Sequence, residues 1–373
     1  MKKVTFVILC LEGALLSFNV AAASALIPSI SADFSVSQIV AGRIVWLYML
    51  PYGIAALFYG PLARTFDVKK IELIALLFFS LSNLLAGLSQ NINTLFLARF
   101  LMGIFGASVT PLVLILIAHH TTEENRGRCV GSFFSITFIA SLLGLFLSGI
   151  IHWRLIFIIP AICGFLLWIA IYIKLPSFKG EAASFKINYL PALKNKTVFS
   201  IFTYIFFVSI FFHGVQQWLS VYFSLEFNFS QFLISMLITL TSLSGIFGEF
   251  IGGHLSDTKG RFKTIEWGII CMIFSVFLLI FKFPVFILAL LMLIWGLGWT
   301  FNHAGLSTRL TDLPKEFLNE AASLNSSVRF LAGGLGVTLG SITIQKGFNL
   351  HFIVFGAALI MLAFSARALL FSK

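Results

Sequence analysis

Apolar residues run through the chain in blocks of about twenty, separated by short polar interruptions. A helix rises 1.5 Å per residue, so about twenty apolar residues cross the hydrocarbon core of a bilayer. Twelve stretches have that length, near 4–27, 38–62, 71–90, 94–118, 129–151, 155–173, 198–223, 231–255, 265–281, 284–306, 320–345 and 348–371. Most connections between them are short, so successive helices cross in opposite directions. The exception is 174–197, polar and proline-containing, between the sixth and seventh stretches. The pattern predicts an all-α membrane protein of twelve spans. Its halves are a six-helix bundle over 1–173 and another over 198–373, joined by a cytoplasmic linker over 174–197. The first apolar run resembles a signal peptide with small residues at a cleavage site. Glu12 and Asn19 interrupt it, however, and it continues through Leu26. It is expected to remain as the first span.

Composition agrees with a membrane solvent. Hydrophobic residues make up 59% of the chain and charged residues 10%, against roughly 25% charged in soluble domains. The net charge of +11 is no sign of nucleic acid, because the basic residues gather in short clusters between spans. With the N-terminus placed in the cytoplasm, nineteen of the 25 Lys and Arg fall on cytoplasmic segments. Four (Arg43, Arg154, Lys282 and Lys346) fall outside, and Arg99 and Arg329 lie within spans. This asymmetry places both termini in the cytoplasm of a plasma (bacterial inner) membrane. Cys10, Cys129, Cys163 and Cys271 fall in or beside apolar runs without metal-ligand spacing, so neither a disulfide nor a metal site is expected. No phosphate-binding loop, HExxH, paired-cysteine or GxSxG motif occurs. No enzyme activity or cofactor is expected, and a gradient rather than a nucleotide must drive any transport.

A charged phrase occurs twice. "YGPLARTFDVKK" at 59–70 is followed 193 positions later by "GGHLSDTKGRFK" at 252–263. Each copy lies between the second and third span of its half, and a six-span repeat is a transporter architecture. The second copy resembles the signature loop of the major facilitator superfamily through Gly253, Leu255, Asp257, Gly260, Arg261 and Lys263. The first matches at Gly60, Leu62, Lys69 and Lys70, with Arg64 and Asp67 where Asp and Gly are usual. "LARFLMGIFGA" (97–107) is similar to the fourth-helix pattern of proton-coupled members through Arg99, Gly103 and Gly106. "ENRGRCVG" (124–131) followed by "FIASLLGLFLSG" (138–149) resembles the fifth-helix glycine pattern of drug:proton antiporters, with Gly131, Gly144 and Gly149 matching and Ala140, Leu145 and Ser148 where Gly, Pro and Gly are usual. The glycines on spans four, five and eleven can serve static helix packing or the rocking of one bundle on the other.

Ionisable groups inside a span are costly and point to function. Those singled out are Glu12, about 10 Å into span one, Arg99, about 8 Å into span four, Arg329, His213 and Glu249. The resemblance implies that the first, fourth, seventh and tenth helices line a central cavity. Glu12, Asn19, Arg99, His213, Gln216, Gln217, Trp295, Trp299 and Asn302 lie on them. Gln216 and Gln217 are 100° apart, so one of them should face the cavity. Aromatic rings, amides and one acid suit a lipophilic solute, neutral or cationic. Glu12 is the candidate proton carrier and Arg99 the residue that supports it, because a buried carboxylate lets proton and solute compete for one site. The resemblance also implies latches. Asp257 would meet the start of span five at Arg126 and Arg128. By pseudo-symmetry, Arg64 either pairs with Glu320 or Glu316 at the start of span eleven, in a charge-swapped version of that contact, or is one more inside-facing positive charge. The expected partners are protons, a small-molecule solute and the bilayer, with no nucleic acid and a monomeric state. The expected function is proton-coupled efflux of small organic molecules. A nutrient symporter or uniporter is the alternative, followed by a non-transporting receptor.

Overall fold

A computed structural model describes residues 3–178, 189–313 and 318–371, and every regular element among them is helical. Span one is Lys3–Ala25, which bends at Leu26 into Ile27–Asp33. Spans two and three are Gln38–Thr65 and Val68–Gly87. Span four breaks into Ile92–Gly106 and Val109–His120. The break precedes Pro111, which has no N–H to continue the ladder. Spans five and six are Glu123–Ser148 and Leu155–Lys174. In the second half, span seven is Lys196–Gln216 continued by Leu219–Phe227, and span eight is Gln231–Thr258. Spans nine to twelve are Arg261–Leu278, Val285–Thr311, Leu318–Ile344 and Phe348–Phe371. Eleven of these are long and apolar enough to cross a membrane. Arg261–Leu278 differs because Arg261, Lys263 and Glu266 occupy its first two turns.

The chain divides into two compact units, 1–187 and 188–373, so the division falls inside the predicted linker. The repeat extends to single residues. Lys3 and Lys196, Val68 and Arg261, Ile92 and Val285, and Leu155 and Phe348 start helices 193 residues apart. The left-handed residues Ser35 (φ 51°) and Asn228 (φ 53°) share that spacing. Two residues later, Ser37 and Ser230 each cap a helix by accepting from Val40 N and Leu233 N. These caps supply acceptors for otherwise orphaned N–H groups.

Each unit packs its spans in the same order. Span one lies on five and six, span two on four, and span three on four and six. Span seven lies on eleven and twelve, span eight on ten, and span nine on ten and twelve. Gly144 presses its backbone against the carbonyl of Phe18, and Gly336 does the same against Ile210, 192 residues on. A Cβ at either place would strike that carbonyl, so glycine is what lets spans one and five, and seven and eleven, approach. The outer faces carry Phe250 (80% exposed) and Phe364 (85% exposed), a surface suited to lipid rather than water.

The two signature loops turn by different means. In the second, Gly260 adopts φ 94° and ψ 150°, a region essentially restricted to glycine. In the first, Asp67 keeps an extended backbone and caps span three by accepting from Lys69 N at 3.0 Å. The Asp-for-Gly change is therefore a change of turn chemistry. Gly60 is buried, whereas Gly253 and Leu255 are partly exposed, and Arg261 pairs with Asp312 at 2.6 Å. Lys263 is exposed.

Candidate functional site

In the first unit the polar side chains inside the membrane fall on two levels. At the first, Glu12 of span one is 1% exposed and Glu72 of span three is fully buried. The two carboxyls lie close enough to act on one another electrostatically. None of their four carboxyl oxygens has a hydrogen-bond partner among the described residues. Two carboxyls can bond to each other only when one carries a proton, and two bare carboxylates at such range repel strongly. Two buried carboxyls placed together can share one proton. Sequence reasoning singled out Glu12 as the one acid well inside a cavity-lining helix; the structure sets Glu72, from span three, beside it.

The second level lies seven residues further along span one. Asn19 Nδ2 donates to Asn83 Oδ1 at 3.0 Å, and Asn83 Nδ2 donates to the Phe79 carbonyl at 2.9 Å. Arg99, also 1% exposed, donates from Nη1 to Asn19 Oδ1 and from Nε to the Ile44 carbonyl, both at 3.0 Å. Its guanidinium lies 4.5 Å from the Tyr48 ring centroid. Arg99 thus ties spans one, two, three and four together, and bonds Asn19 rather than Glu12. No ion pair to it is present among the described residues.

Matching positions in the second unit are neutral. At the spacing of the Gly144 and Gly336 contacts, Glu12 corresponds to Tyr204. From the helix starts, Glu72 corresponds to Ile265. Asn302 Nδ2 donates to Tyr204 Oη at 3.0 Å and to the Ile265 carbonyl at 3.3 Å. The fold can be packed at this level with a tyrosine and an amide, so packing does not call for the acid pair.

The second unit instead builds an aromatic wall. Phe212 stacks on Trp299 with ring centroids 4.0 Å apart and on Trp295 at 5.2 Å. His213 meets Trp299 edge-on at 5.5 Å. The adjacent glutamines diverge, as their 100° separation requires. Buried Gln216 accepts from Trp295 Nε1 at 2.7 Å and donates to Thr241 Oγ1 at 3.1 Å. Half-buried Gln217 lies 3.3 Å from His213 Nδ1. Glu249 Oε1 lies 2.7 Å from His303 Nδ1.

Of the expected latch residues, Arg64 is exposed in the last turn of span two, where a cation complements the helix dipole. Asp257 and Arg128 are also exposed. Glu316 lies outside the described residues, as do the side chains of Arg126 and Glu320. Among the described residues no cluster of three His, Cys, Asp or Glu could hold a metal ion.

Two repeated six-helix units, polar groups buried at membrane depth and an apolar outer surface define a multi-pass transporter of small solutes. The chain belongs to the Major Facilitator Superfamily, whose model matches residues 9–337. It is 25% identical over 329 residues to the purine ribonucleoside efflux pump NepI of Salmonella typhimurium (strain LT2), covering 86% of this chain and 82% of that protein. Among solved structures, the nucleoside transporter NupG superposes with a TM-score of 0.79 at 14% identity, over 100% of both chains. A bacterial homologue of the human lysosomal transporter Spinster also gives 0.79 at 14% identity, over 98% of this chain and 96% of that one. The family and these relatives are transporters, not enzymes.

Proposed function

We propose that the protein is a proton-coupled exporter of small, flat, uncharged organic solutes in the bacterial inner membrane, with purine ribonucleosides the first class to try. The observation that carries this reading is the buried Glu12–Glu72 pair, present in one unit where the other has neutral groups. A site that holds a proton between two carboxyls gives the protein a way to carry it, and alternating access of two six-helix bodies gives the route. The aromatic wall around Trp299 and the relatives' efflux of nucleosides support the solute class. Imposed gradients on proteoliposomes test it with inosine as the probe. Antiport predicts accumulation in acid-inside vesicles, as protons leave while solute enters. Accumulation in alkaline-inside vesicles would make the protein a symporter, and transport indifferent to the gradient would make it a uniporter.

The loop charges belong to the same reading. Arg64 pairs with Glu320 or Glu316, and Asp257 with the start of span five at Arg126 and Arg128, so that both contacts close the cytoplasmic side. A weak exposed pair suffices to bias two states of similar energy. Arg64→Glu should therefore raise the labelling rate of a cavity cysteine from the cytoplasmic side, and adding Glu320→Arg should restore it. A double variant that labels as fast as the single one removes the latch at these residues.

A further inference from the structure

The second unit holds an arginine that the reading above leaves without a task. Arg329 lies near the middle of span eleven and is 9% exposed. Its Nε donates to Asn325 Oδ1 at 2.8 Å, one turn back, which fixes the guanidinium in place. Its Cζ stands 5.6 Å from the Trp299 ring centroid. Both Nη atoms are buried and have no hydrogen-bond partner among the described residues. Leaving several N–H donors of a cation unused at membrane depth is costly. Helix packing does not demand the residue, because the matching position of span five, 192 residues earlier, is Thr137.

The neighbours limit what those donors can take. Glu249 acts on Arg329 electrostatically, and its Oε1 lies 2.7 Å from His303 Nδ1. With a carboxylate acting on the guanidinium, an uncharged ligand suits these donors better than an anion. Trp299 and His213, both half-buried, border the guanidinium and offer flat apolar surface. A guanidinium is a planar fork of parallel donors, and it fits two adjacent in-plane acceptors far better than a point charge would.

We infer that Arg329 is a solute-recognition residue that presents its paired Nη donors to the acceptor edge of a flat, uncharged heteroaromatic ring, a ring carbonyl beside a ring nitrogen. This rests on the nucleoside reading above and makes it specific. A purine with an oxygen at this edge is favoured, and one lacking that oxygen is disfavoured.

Calorimetric titration of the purified protein with inosine and with purine riboside, which lacks the ring oxygen, tests the assignment. Wild type should bind inosine about tenfold or more tightly than purine riboside. Arg329→Met should bring that ratio close to one by weakening inosine, which loses two hydrogen bonds, more than purine riboside, which loses the one to its ring nitrogen, and Arg329→Lys should lie between, since Lys keeps the charge without the fork. The Lys variant also decides the matter if the Met variant does not fold. A ratio unchanged in the variants, or equal binding of both nucleosides by wild type, overturns the role of Arg329. Tighter binding of benzoate than of inosine overturns the uncharged class. Wild type that binds neither nucleoside, yet accumulates another solute in acid-inside vesicles, overturns this inference and leaves proton coupling standing.

Discussion

Glu12→Gln is expected to lower gradient-driven transport by about 100-fold or more, the scale on which losing a positioned proton-transfer group is felt. Glutamine has the shape of a protonated glutamic acid, and it can still donate to the Glu72 carboxyl. The helix contacts of span one should survive, and the variant should melt at or above the wild-type temperature because one of two facing acids is gone. Solute exchange without a gradient should continue, since it needs the two bodies to alternate but no net proton movement. Glu72→Gln should have the same phenotype. Counterflow and uphill accumulation, measured side by side in proteoliposomes, separate these outcomes. Uphill transport at the wild-type level by either variant would remove that acid from the proton site.

Arg99→Ala should also abolish uphill transport, for a different reason. Arg99 neither touches Glu12 nor pairs with a carboxylate among the described residues; it fixes Asn19, which in turn holds Asn83. Without the guanidinium, the link between spans one and three at this level loses its anchor, and the spans that carry Glu12 and Glu72 lose their register. Two effects on stability oppose each other. Asn19 Oδ1 loses its charged donor, while a buried cation without a counter-ion is removed. The net cost should be about 1–2 kcal/mol, visible as a lower melting temperature. Arg99→Lys should keep part of the transport, because one ammonium reaches Asn19 or the Ile44 carbonyl but cannot bridge both. Normal uphill transport by the alanine variant would reduce Arg99 to a packing residue.

Much of this architecture is legible in the sequence, since twenty-residue apolar blocks and a 193-residue repeat are local and periodic signals. The repeat also places a left-handed residue and a serine cap ahead of the second span of each half. Breaks within spans are harder to read. Pro111 signals the one in span four, whereas no proline or glycine marks the one at Gln217–Trp218. The acid pair is missed for a physical reason. Glu72 follows Lys69 and Lys70 within a turn and reads as an interfacial charge at a helix start. Its partner is 60 positions away, and no local pattern links them. A signal did exist in helical spacing. Glu72, Leu76, Phe79 and Asn83 are all buried and lie on one face of span three, while Glu12 and Asn19 lie two turns apart on span one. Matching an acid and an amide on one helix to an acid and an amide on another would have paired them.

Solute-induced proton release tests the central claim most directly, that the proton driving transport is held between Glu12 and Glu72. Purified protein in weakly buffered detergent solution, with a pH-sensitive dye, is titrated with inosine or with whichever solute the vesicle assay identifies. Wild type should release up to about one proton per solute bound, because in antiport the solute-bound and proton-bound states are coupled negatively. The Glu12→Gln, Glu72→Gln double variant should bind the solute and release none. Release by the double variant equal to that of wild type would contradict the account and place the coupling proton elsewhere in the protein.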